Sequence, residues 1–159
     1  MANPFRVHQR LAALVAGVVT LAVCVTAWFW LSASNDGEAK MGNYGPDKQQ
    51  EWAERLVAGL NTHDAAQVPV LHIHGHLSND QQGTIEAAMP APGCRYALLS
   101  VQDRGEQGKQ QVPGLDAEKS TYRFDMTVEE QCSASYQSRV LGVVAIAEMG
   151  YWDPYSFTS

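Results

Sequence analysis

Twenty-one consecutive residues, Leu11 to Leu31 (LAALVAGVVTLAVCVTAWFWL), carry no charge. At about 1.5 Å per residue a helix of this length crosses the ~30 Å hydrocarbon layer of a bilayer, so everything that follows is confined to one side of it. Arg6 and Arg10 precede the run and the next basic residue is Lys40. The positive-inside bias therefore places residues 1–10 in the cytoplasm as a short stub, residues 11–31 in the membrane, and the rest outside. Trp28, Phe29 and Trp30 fall at the outer end, where amphipathic rings favour the headgroup zone. A cleaved signal peptide is the competing reading, because small residues at Ser32-Ala33-Ser34 follow a basic start. The run is longer than an ordinary signal core, and three bulky aromatics crowd that cleavage point. A lipoprotein box at Leu21-Ala22-Val23-Cys24 fits less well, since Val23 is β-branched and Cys24 lies within the span.

Charge separates across this run. The 17 acidic residues all follow it, with 9 of the 11 basic ones, leaving the outward part at −8 and the stub at +2. A surface of that sign repels phosphate backbones and argues against nucleic-acid binding. The cysteines agree with the address. Cys94 and Cys132 are the two outside the run, and thiols in an oxidising compartment pair. The loop they close is worth about 4 kcal/mol in chain entropy.

Residues 32–45 are polar and glycine-containing, which predicts a flexible tether, and about 115 residues remain for one domain. Pro46 suits a first helical position, and Gln49, Trp52, Ala53, Leu56, Val57 and Leu60 form one apolar face that ends near Asn61. Thr62 or Asp64 caps a short helix that Pro69 stops. Val70 to Gly75 (VLHIHG) predicts a short strand. Ser78 and Gln81 make a capping-box pattern that opens a helix running to Pro90. Strands follow at Tyr96–Gln102, Thr121–Glu129 and Val140–Met149, with a polar connection over 104–120 that turns at Pro113-Gly114. The middle strand has Tyr122, Phe124, Met126 and Val128 on one face; the third is apolar on both faces and belongs inside a sheet. Residues 151–159 predict an aromatic tail over an open end of the core. The fold class is α+β.

This order of elements, with the Asn61-Thr62-His63-Asp64-Ala65-Ala66 turn after the long helix, resembles the NTF2-like superfamily, including its SnoaL and ketosteroid-isomerase branches. The resemblance covers roughly residues 46–150. It implies helices packed on a curved, mainly antiparallel sheet in a cone with an apolar pocket. Membrane-anchored versions resemble small exported actinobacterial proteins that act as accessory or binding modules, and family members often pair as homodimers. No position matches the family's general-base Asp with its Tyr and protonated acid.

The residues themselves leave three readings open. An extracytoplasmic accessory or ligand-binding domain in an envelope assembly is the first, since no nucleophile, base and orienting group stand together. A small isomerase- or hydrolase-type enzyme is the second, with Glu148, an isolated carboxylate in an apolar strand, or His63 and Asp64 as base. As a helix-starting residue, Asp64 serves equally as a cap. A zinc or copper site is the third, through His72, His74 and His76, with His63 or Asp64 as a further ligand. Alternating histidines on a strand share a face, and Gly75 supplies the bend needed for convergence; the same residues suit a polar strand edge. Trp52, Tyr122, Phe124 and Met126 line either a pocket or the core.

Overall fold

The computed structural model describes residues 44–73 and 75–158. The stub, the apolar run at 11–31 and nearly all of the tether lie outside these residues. Among the described residues no helix is long and apolar enough to cross a membrane. Two helices precede four strands: α1 (Pro46–Leu60), a 3₁₀ turn (Ala65–Gln67), α2 (Asn79–Ala88), β1 (Arg95–Gln110), β2 (Lys119–Gln131), β3 (Tyr136–Glu148) and β4 (Tyr151–Thr158). The strands form one antiparallel sheet in the order β1-β2-β3-β4.

α1 opens on Pro46 and ends at its C-cap Asn61. Its buried face carries Gln49, Ala53, Leu56, Val57 and Leu60, the three- and four-residue spacing that makes an apolar stripe. Gly59 is set by close approach: a Cβ there would lie 2.8 Å from both Pro69 Cδ and the Cα of Val68. α1 packs over β1 and α2 over β4. Both helices cover one side of the sheet, where Phe124, Met126 and Val128 of β2 meet Val143, Leu141 and Ala145 of β3 in a fully buried core. The pairs Phe124↔Val143 and Met126↔Leu141 place these side chains directly opposite one another.

The far face carries a smaller cluster. Ile146 and Tyr155 pack with Val112, while Leu71, Ile73, Leu115 and Val144 surround them, so the connection after β1 folds back over that end of the sheet. This covers the second apolar face of β3, except at Val140, which stays exposed.

Three expectations change. β1 runs on to Gln110, and the stretch expected as a loop begins only at residue 111. Gly105 and Gly108, with φ near +77 and +75, sit at irregularities in the β1/β2 register, where a bulge takes in a positive φ without ending the strand. Residues 151–158 form the edge strand β4 instead of a separate cover, with Trp152 paired to Ala147 and Phe157 to Val143. Pro154 is admissible there because an edge strand can spare an N–H. Finally, residues 70–73 and 75 belong to no strand. Leu71 N–H donates to the carbonyl of Pro154 (2.8 Å), but Pro154 has no N–H to return, and Gly75 at φ +76 turns the chain away.

Cys94 and Cys132 form a disulfide, with Cα atoms 4.4 Å apart. It stands one step beyond the Arg95↔Gln131 pair and joins the start of β1 to the end of β2.

Candidate functional site

α2 is held at its start by Ser78, whose Oγ accepts from Gln81 N–H at 3.1 Å. It is tied to β4 by Gln81, whose Nε2 donates to the carbonyls of Leu71 and Tyr155, each at 2.9 Å. Between α2 and the β3–β4 end of the sheet lies a cleft of about 740 Å³, within the size range of small-molecule sites. Leu141 and Phe157 rise from the strands, Ala88 and Gly83 face them from α2, and Pro113 closes one side. The polar lining comes from Asn79, Asp80, Thr84, Thr158 and Arg139.

Arg139 is fixed rather than loose. Its Nη1 donates to Tyr96 Oη at 3.0 Å and its Nη2 to the carbonyl of Ala87 at 2.9 Å. Burial pushes the Tyr96 phenol above its usual range, against a smaller opposing pull from Arg139. Among the described residues no carboxylate forms an ion pair with Arg139. Its charge is held by neutral acceptors at the edge of the cleft and stays uncompensated. Gly83 lies midway along α2, and a Cβ added there would meet nothing within 4 Å. Glycine at such a position costs the helix about 1 kcal/mol relative to alanine.

A second polar group occupies the sheet face away from the helices. Arg104 Nε donates to Asp125 Oδ2 (2.7 Å) and Arg123 Nε to Oδ1 (3.0 Å), so both oxygens of this buried carboxylate are taken. Burial raises the Asp125 pKa, but the hydrogen bonds and charges of the two arginines outweigh it and hold the carboxyl below its ordinary value.

The residues singled out by sequence lie elsewhere. Glu148 pairs with Lys119 Nζ at 2.9 Å near the end of β3. Asp64 caps the 3₁₀ turn, accepting from Ala66 N–H at 3.0 Å. His63 takes a left-handed conformation, φ 59, and its Nε2 lies 3.1 Å from the carbonyl of Cys94. Asn61 completes the turn: its Nδ2 donates to the carbonyl of Tyr96 (2.9 Å) and its Oδ1 accepts from Tyr96 N–H (2.7 Å). Asn61 and His63 thus dock this turn on the start of β1. His72 and His76 lie in the irregular segment, and His74 lies outside the described residues. Among the described residues no group of three His, Cys, Asp or Glu side chains is placed to hold a metal. Phe124 and Met126 are core, and Tyr122 stacks edge-on against Tyr44 (5.1 Å) and Trp152 (5.4 Å) rather than lining the cleft.

Arg139, Asp80 and Gly83 are the cleft residues that sequence reasoning passes over. Gly83 carried the readable signal, since a glycine inside an otherwise helical pattern calls for a packing or functional reason. Comparison with protein-family models, with curated proteins and with solved structures finds no match.

Proposed function

We propose that this chain is a single-pass membrane protein with its amino terminus in the cytoplasm, whose outward domain binds a small ligand as an accessory part of an envelope assembly and does not catalyse a reaction. The carrying observation is the cleft beside α2: apolar walls from Leu141, Phe157 and Ala88, with one guanidinium, Arg139, that no carboxylate among the described residues neutralises. Such a wall with a few fixed polar groups suits recognition. Its lining includes no histidine, cysteine, serine or lysine, and its one carboxylate, Asp80, has no second acid or base beside it in that lining. Affiliation with the NTF2-like superfamily belongs to the same proposal, supported by the helices that precede the antiparallel sheet and pack on one side of it.

Native mass spectrometry of the full-length chain released from membranes tests the binding role. A small-molecule mass increment that disappears in Gly83→Leu is expected, because leucine suits a helix and its side chain projects into the cleft. No bound increment above the sequence mass of either protein, or the same increment on both, overturns it.

A further inference from the structure

We infer that the cleft beside α2 reads a short zwitterion of tripeptide length, its carboxylate at Arg139 and its ammonium at Asp80. This rests on the binding role proposed above and names the ligand class. Asp80 and Arg139 both line the cleft and carry opposite charges. Neither is ion-paired within the protein among the described residues. Arg139 is bonded to the carbonyl of Ala87, seven residues along α2 from Asp80, so the backbone positions at which the two charges are held lie about 10 Å apart along the helix. An extended peptide advances about 3.3–3.6 Å per residue, which brings the termini of a tripeptide to that spacing and leaves those of a dipeptide short.

The space between the charges fits the same occupant. Leu141 and Phe157 offer an apolar wall to a central side chain, and Gly83 leaves the middle of α2 without a side chain where the ligand's backbone would lie. A fatty acid or an inorganic anion uses Arg139 alone and leaves the Asp80 carboxylate at the far end without a counter-charge. A polyamine meets the reverse penalty. Both charged ends are answered only by a ligand bearing one of each sign.

The test is isothermal titration of the full-length chain in lipid nanodiscs with Ala-Leu-Ala, its C-terminal amide, its N-acetyl form, Ala-Leu and hexanoate. Ala-Leu-Ala is expected to bind, and amidation, acetylation or shortening each to weaken it by about tenfold or more, as loss of a charge-assisted contact does. Gly83→Leu abolishes binding. Asp80→Asn removes the preference for a free amine while keeping that for a free carboxylate. Since Asp80 is exposed, its replacement leaves the fold intact, whereas Arg139→Gln also strips bonds from Tyr96 and Ala87. Binding of Ala-Leu-Ala that is lost in Gly83→Leu but indifferent to blocked termini overturns the zwitterion and leaves the cleft as a binding site. So does hexanoate binding without peptide binding. No heat from any of the five probes counts against both readings.

Discussion

Replacing Asn61 by alanine tests how α1 and the sheet are joined. The Asn61 carboxamide donates to one backbone group of Tyr96 and accepts from the other, at 2.9 and 2.7 Å, acting as a strand partner on the outer edge of β1. Tyr96 is 4% exposed, so water does not replace these bonds readily. Each bond contributes about 1 kcal/mol net, and stranding a buried backbone donor or acceptor adds to the loss, which gives about 2–3 kcal/mol for Asn61→Ala. In a domain of this size that lowers the thermal midpoint by about 8–12 °C. The neighbouring Thr62→Ala removes the hydroxyl's bond to the Gly59 carbonyl and the one it accepts from Asp64 N–H, both local to the turn and on a more exposed surface, and serves as the control at about 0.5–1 kcal/mol. Circular dichroism of thermal unfolding measures both, and hydrogen exchange at the Tyr96 amide reports the bond itself. Equal midpoints for the two variants, or unchanged protection of the Tyr96 amide, would refute the docking role given to Asn61.

Other outcomes follow from the same geometry. Replacing Cys94 and Cys132 together by serine, which opens a loop of sequence separation 38, costs about 4 kcal/mol by denaturant unfolding, read against the oxidised wild type. Asp125 sits below its ordinary value of 3.8 in the folded chain, so its contribution is complete above that pH and is lost as pH falls through the lower folded value; Asp125→Asn flattens this acid limb of a stability-against-pH curve. Asp153 is the opposite case, raised by burial against a smaller pull from Lys48, so its contribution is complete below 3.8 and is lost as pH rises through the folded value; Asp153→Asn is expected to be more stable than wild type at pH 7, with the gain vanishing in acid. The glycines within α1 and α2 respond in opposite directions. Gly83→Ala stabilises by about 0.5–1 kcal/mol in open space, whereas Gly59→Ala destabilises by about 1–3 kcal/mol because Pro69 and the Val68 backbone must move, both read by thermal unfolding.

Much of the fold was legible where local chemistry decides the structure. Pro46 and Asn61 bound α1, Ser78 caps α2, Asp64 caps the 3₁₀ turn, and Cys94 pairs with Cys132. The alternation through Phe124, Met126 and Val128 marked the buried face of β2. Legibility failed where pairing overrides local preference. Gly105 and Gly108 look like breakers, yet β2 supplies a partner strand that carries β1 through two bulges. Tyr151 to Thr158 looks like a tail because Pro154 interrupts it, but β3 needs only one edge of that strand. Conversely, Val70 to Ile73 has strand-like residues, but Leu71 docks on Pro154, which has no N–H to return a hydrogen bond.

The candidate site was harder to read, and the reason lies in what the fold does with conspicuous residues. His63 and Asp64 look like a base with its acid, yet the fold uses each: one ring nitrogen lies against the Cys94 carbonyl, and the carboxylate holds a turn. Glu148 looks stranded in an apolar strand until Lys119 of β2 reaches it across the sheet. Arg139 and Asp80 look ordinary, being 59 residues apart in sequence with nothing around either to draw attention. Only the packing of α2 against β3 and β4 sets them along one cleft. The distinguishing property is charge balance after folding: Glu148 and Asp125 have their cations, while Arg139 and Asp80 are left without counter-charges among the described residues. An uncompensated guanidinium, held in place by neutral carbonyl and phenol oxygens, is preorganised for a carboxylate from outside the chain.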